Sequence, residues 1–162
     1  MIIAITGVAG VGKTTIGKKL SEILNFEYIN LTEFAIKNNL IEEYDEAYQS
    51  YIVDEEKVIK ALQEYIKNNS NKSFIIEGNF SHLIDADLYI VIKTDPNILL
   101  KRLEERGYPY HKIFENLWAM NLEVIEDELE SFRKNYYVFY NNDEKDIEEI
   151  IKKILEILKR NI

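Results

Sequence analysis

Eight consecutive residues near the start of this chain have the composition of a phosphate cradle. Gly7-Val8-Ala9-Gly10-Val11-Gly12-Lys13-Thr14 fits the pattern G-x-x-x-x-G-K-[ST] in full. Each residue type has a physical reason to be there. Glycines let the backbone curl around phosphate oxygens with no Cβ in the way. The turned main chain then presents N–H groups to the anion, and a helix that follows adds its positive end. Lys13 has the reach for the β- and γ-phosphates, and Thr14 the hydroxyl for Mg²⁺. Gly10, Val11, Gly12, Lys13, Thr14 and Thr15 are therefore the candidate nucleotide-binding residues. The pattern favours ATP over GTP. Asn71-Lys72-Ser73-Phe74 begins like a guanine site but lacks its Asp, and no Asp-x-x-Gly occurs.

Other donors and acids are few enough to name. Glu77 closes the apolar run Phe74-Ile75-Ile76. At the carboxyl end of a strand beside the cradle, such an acid orients water on Mg²⁺, which makes Glu77 a candidate catalytic and metal-side residue with Thr14. Asn79 and His82 follow in the same loop. Arg is scarce: only Arg102, Arg106, Arg133 and Arg160 occur. Arg102 and Arg106 fall one helical turn apart, just before the helix-breaking Gly107-Tyr108-Pro109, where two guanidinium groups would clamp a polyphosphate. Tyr44, Tyr48 and Tyr51 sit in an acidic stretch, and such aromatics serve either packing or the stacking of an acceptor base.

The elements that must position these groups can be read from periodicity. Ile2–Ile5, Ser73–Glu77 and Leu88–Ile92 are short runs expected as buried strands, with Phe26–Asn30 and Tyr137–Tyr140 as two further strand candidates. Between them lie amphipathic helices. One runs from Lys13 to Leu24 with Ile16, Leu20, Ile23 and Leu24 inward, and one from Thr32, as N-cap, to Leu40. Asp54 caps Glu55–Asn68, Asp95-Pro96 opens a helix that stops at Gly107, and a single long helix is expected from Ile113 to about Asn135 with Val124 inward. The last helix starts at Asp143, with Ile147, Ile150, Ile151, Ile154, Leu155 and Leu158 in one stripe. Glu42–Val53 shows no clear period. Alternating strands and helices argue for one α/β domain: a P-loop NTPase fold with a five-stranded parallel sheet covered on both faces.

The bulk composition narrows the function classes. With 162 residues, 46% hydrophobic and 30% charged, the chain is long enough for a proper core. Twenty Lys and Arg against 29 Asp and Glu give a net charge of −9, which disfavours DNA or long RNA as partner. The absence of cysteine excludes a disulfide or Cys-type zinc site. Met1 leads directly into an apolar strand, and no apolar stretch has membrane-spanning length, so a cytoplasmic protein is expected.

Several blocks together resemble a known group. They are Thr6-Gly7 through Thr15, Tyr28-Ile29-Asn30, Glu43-Tyr44-Asp45-Glu46, Ile52-Val53-Asp54-Glu55, Lys93-Thr94-Asp95 and Arg102-Leu103-Glu104 with Arg106-Gly107-Tyr108. Nearly the whole chain is similar to the nuclear and archaeal adenylate kinases of isoenzyme 6 type, also described as broad-specificity nucleoside monophosphate kinases. The resemblance implies phosphoryl transfer from ATP, with Mg²⁺, to a nucleoside monophosphate, AMP favoured, together with ATPase activity. It implies a monophosphate-binding segment at about 30–53, a short lid at about 105–116, and Lys13, Arg106 and Glu77 as the catalytic set. Arg102 and Arg106 would join the ATP-binding residues, and Asn30, Lys37, Tyr51 and Asp54 would line the acceptor site. The family also couples its ATPase to maturation of the small ribosomal subunit, with a platform ribosomal protein as partner. A monomer or weak dimer is expected. Two positions depart from the family pattern. Ile36 stands where an Arg is frequent, beside Lys37, and Glu77-Gly78-Asn79 stands in place of Asp-x-His.

Overall fold

A computed structural model of the chain describes residues 1–160. Its strands are β1 (Ile2–Thr6), β2 (Glu27–Asn30), β3 (Ile41–Asp45), β4 (Ser50–Val53), β5 (Phe74–Glu77), β6 (Leu88–Lys93) and β7 (Tyr137–Tyr140). Its helices are α1 (Lys13–Leu24), α2 (Leu31–Lys37), α3 (Glu55–Asn68), α4 (Pro96–Glu105), α5 (Tyr110–Asn121), α6 (Val124–Ser131) and α7 (Glu144–Arg160). A short 3₁₀ turn occupies Ser81–Leu83. Five strands form one parallel sheet in the order β2-β5-β1-β6-β7.

Both faces of the sheet are apolar, and that explains why its central strands β1, β5 and β6 read as nearly unbroken apolar runs. Ile3, Ile5, Ile75, Ile90 and Ile92 point into one core with Ile16 and Leu20 of α1, Leu99 and Leu103 of α4, Ile113 and Leu117 of α5, and the stripe of α7. Ala4, Phe74, Ile76, Tyr89 and Val91 point into the other with Leu31, Val58, Leu62, Ile125 and Leu129. This layering also explains the break in the helix expected from Ile113 to Asn135. α5 belongs to the first core and α6 to the second, and one straight helix cannot pack on both faces of a sheet. The chain turns at Glu123, whose φ of 55° lies in the left-handed region, and Val124 is left exposed. Ile23 is exposed as well.

Two further local differences have simple causes. Helix α2 is capped by Asn30, not Thr32: Asn30 Oδ1 accepts from the Glu33 N–H at 2.9 Å. The aperiodic stretch Glu42–Val53 folds as an antiparallel hairpin of β3 and β4, pairing Tyr44 with Tyr51. Its residues are mostly solvent-exposed, so it has no apolar face from which a two-residue period could be read.

Candidate functional site

The cradle sits where β1 ends and α1 begins, at the carboxyl edge of the sheet. Its curvature depends on glycines at two positions. Gly10 and Gly12 take φ of 88° and 92°, and a Cβ on Gly12 would run into Asn141 Nδ2. Lys13 Nζ turns back to donate to the Val8 carbonyl at 3.1 Å. Burial pushes the Lys13 ammonium below its ordinary pKa; the Glu77 carboxylate opposes this and Arg106 adds to it.

Glu77 is almost completely buried, at 1% exposure, and is not the solvated turn residue a strand end usually carries. Its Oε1 accepts from Thr14 Oγ1 at 2.8 Å, Tyr28 OH at 2.6 Å and Asn30 Nδ2 at 3.1 Å. A buried carboxylate is tolerated because three donors converge on it. Burial, then the hydrogen bond to Glu77, raises the Tyr28 phenol well above its usual pKa, so it stays a donor. The β2–β5–β1 register makes this meeting unavoidable: Asn30 lies beside Glu77, and Glu77 beside Ile5. Tyr28 was not among the sequence candidates. It is 49 residues from Glu77, and only the parallel pairing brings them together.

Three other side chains fasten the cradle from behind. Arg102 Nη1 donates to the Gly10 carbonyl and to Thr94 Oγ1, both at 3.2 Å. Asn141, after β7, donates from Nδ2 to the Val11 carbonyl at 2.9 Å. Asn116 of α5 accepts the Ala9 N–H on Oδ1 at 3.0 Å. Arg102 thus braces the loop from below instead of reaching outward as half of a clamp. Arg106 remains exposed as the C-cap of α4, its guanidinium 6.0 Å from the Tyr108 ring, with its charge felt at Lys13. Thr15 is exposed on the first turn of α1. Neither Asn116 nor Asn141 carries a sequence signal, since each lies more than 100 residues from its partner.

The four expected acceptor-site residues are not gathered in one place. Asn30 and Lys37 line a cleft of about 270 Å³ along the free edge of β2, with Phe34 and Tyr65. Asn30 is already engaged at both ends, by Glu33 and Glu77. Tyr51 is half exposed on the hairpin, its ring 5.1 Å from that of Tyr44, and Asp54 caps α3 through the Lys57 N–H. His82 is buried with Nδ1 3.4 Å from Thr6 Oγ1 and Nε2 3.5 Å from Glu128 Oε2. Burial lowers its pKa against the pull of Glu128.

Among the described residues no cluster of three or more His, Cys, Asp or Glu side chains would hold a metal by itself. The hydroxyl of Thr14 and the carboxylate of Glu77 fit a hard cation that takes its remaining oxygens from phosphate and water. No helix among the described residues is long and apolar enough to cross a membrane.

Residues 3–128 match the AAA domain family. A "Putative adenylate kinase" of Saccharolobus solfataricus is 42% identical over 156 residues, covering 96% of this chain and 82% of that protein. Proteins of the same name from Methanocaldococcus jannaschii and Thermococcus kodakarensis are 41% and 35% identical, covering 98% and 100% of this chain and 86% and 88% of theirs. A shikimate kinase from Bacteroides thetaiotaomicron superposes with a TM-score of 0.56 at 19% identity, over 98% of both chains. A sugar kinase from Janibacter sp. does so at 0.66 and 16%, over 98% of this chain and 94% of its own. At such identities the structural likeness is one of fold, that of the P-loop kinases. Identity above 40% along nearly the entire length is a closer bond, and by it the chain belongs to the adenylate-kinase-like family that these archaeal proteins represent.

Proposed function

We propose that this protein is a nucleoside monophosphate kinase of isoenzyme 6 type, transferring the γ-phosphoryl group of ATP to AMP, with ATP hydrolysis as a slower side reaction. The observation that carries this reading is the convergence of Lys13, Thr14 and Glu77 at the mouth of the cradle, the Thr14 hydroxyl 2.8 Å from the Glu77 carboxylate. The names of the archaeal relatives support the same chemistry. The backbone N–H groups of residues 10–15 hold the polyphosphate. Lys13 exchanges the Val8 carbonyl for a phosphate oxygen and follows the charge that develops on transfer. Thr14 and Glu77 would hold Mg²⁺, which when bound offsets charge on the phosphate oxygens. Arg106, exposed beside the turn at Gly107, swings over the transferring group as the short lid of about 105–116 closes. The acceptor is already anionic, so no strong general base is needed, and catalysis is positioning plus charge neutralisation. The segment at about 30–53 holds the monophosphate, with Lys37 as its basic side chain in place of the frequent family Arg. So short a lid excludes water poorly, which gives the hydrolytic side reaction.

A second reading is favoured by one feature. Tyr110, Phe114 and Trp118 of α5 and Leu122, its C-cap, stand four residues apart and are each half or more exposed. An aromatic stripe of this size fits a protein partner. It supports an ATPase that assists assembly of the small ribosomal subunit, its partner a platform ribosomal protein. One assay separates the two: ATP is supplied with a panel of monophosphates, and nucleoside diphosphate and free phosphate are measured together. The kinase reading expects two ADP for each ATP consumed, in proportion to added AMP. Equal ADP and phosphate, whatever the monophosphate, overturns it in favour of the ATPase.

A further inference from the structure

One peptide group of the cradle is held from both ends. The carbonyl of Val8 accepts from Lys13 Nζ at 3.1 Å, and the N–H of the same peptide unit, on Ala9, donates to Asn116 Oδ1 at 3.0 Å. The unit is planar and turns as one piece. Asn116 in turn donates from Nδ2 to the Lys112 carbonyl at 2.8 Å, one helical turn earlier in α5. Lys112 then reaches outward. Its Nζ lies 3.9 Å from the centre of the Tyr108 ring and donates to the Gln49 carbonyl at 3.0 Å. Beside it, His111 Nε2 donates to the Ala47 carbonyl at 2.6 Å, and its ring packs edge-on against Tyr48 at 4.4 Å. Ala47, Tyr48 and Gln49 are the tip of the β3–β4 hairpin, and Gln49 takes a φ of 49° there.

We infer from this continuous set of contacts that Asn116 is a positioning residue, one that ties the state of the phosphate-gripping lysine to the seating of the hairpin tip on the start of α5. A polyphosphate oxygen competes with the Val8 carbonyl for the Lys13 ammonium. When the ammonium moves to phosphate, the Val8–Ala9 peptide loses its hold on one side and is governed by Asn116 on the other. Asn116 carries that change to the first turn of α5, the turn that His111 and Lys112 dock against the hairpin. The hairpin belongs to the 30–53 segment proposed above to hold the monophosphate. Its purpose, ordering an acceptor only when a donor nucleotide is in place, rests on the kinase reading above; the linkage itself does not. The hairpin end is only weakly enforced. The hairpin has only two strands and little buried surface, so its free energy of opening is small and easily shifted.

The test is amide hydrogen exchange at residues 46–50, with and without Mg²⁺ and the non-hydrolysable analogue AMP-PNP at a concentration shown by titration to saturate. In the wild type, nucleotide slows exchange at the tip by about 5-fold or more, the lower end of common coupling strengths. Asn116→Leu cuts the linkage at the cradle and Lys112→Met cuts it at the hairpin. In both, at AMP-PNP concentrations shown by titration to saturate each variant, the nucleotide-dependent slowing falls to within about 2-fold of none. Lys152→Gln, exposed on α7, behaves as wild type. The same slowing in Lys112→Met or Asn116→Leu as in the wild type, or none in the wild type itself, overturns the proposal. Should Asn116→Leu fold poorly, Lys112→Met decides the matter alone. A protein that shows the slowing yet phosphorylates no monophosphate refutes the kinase reading and leaves the linkage standing.

Discussion

The cradle and the hairpin are built on opposite terms. Residues 7–14 are fastened by side chains from α4, α5 and the loop after β7, and rest on the buried Glu77 with its three donors. The hairpin of β3 and β4 holds itself by one strand pairing and a Tyr44–Tyr51 contact, and touches the remainder through its tip and through Ile41 and Val53 at its base. The contrast teaches where this molecule places rigidity. A site that must present many N–H groups to one anion gains from being fixed before the anion arrives. A segment that must admit and then enclose a second substrate has to open at little cost.

Four expectations test that contrast. The largest effect belongs to Lys13→Ala, which lowers the rate of phosphoryl transfer by about 10²–10³-fold, the usual loss on removing one preorganised charge-stabilising group. Circular dichroism should leave the fold unchanged, and a near wild-type rate would refute the site. Gly12→Ala comes next. It places a Cβ against Asn141 at a φ of 92°, costing about 2 kcal/mol in urea unfolding together with most of the ATP affinity. If the cradle is instead pliant, that variant will unfold at the wild-type urea midpoint.

The third expectation is a pH profile. Because burial lowers the Lys13 pKa, the ammonium loses its proton at a lower pH than free lysine does, and grip on phosphate is lost as pH rises through that value. The alkaline limb of kcat/KM for ATP therefore falls below the ordinary lysine value of 10.5, whereas a limb at or above it would mean a solvated ammonium. The smallest effect is expected of Tyr44→Ala. Removing one cross-strand aromatic partner costs about 0.5 kcal/mol and raises the KM for the monophosphate while leaving that for ATP unchanged. Equal effects on both constants would erase the distinction between the two regions.

Much was legible from residues alone because it is local. The cradle is one uninterrupted run whose chemistry needs no distant partner, and the central strands β1, β5 and β6 announce themselves because burial on both faces favours apolar residues at nearly every position. Asp54 and Asp95 mark helix starts for the same reason: a cap acts within three residues. Tertiary structure alone decided what depends on separation along the chain. It set the break at Glu123, since the two cores lie on opposite faces. It turned Arg102 under the loop, and it drew Tyr28, Asn116 and Asn141 to partners 49, 107 and 130 residues away. Such partnerships leave no periodic trace, because a hydrogen bond fixes two side chains in space and places no demand on the residues between them.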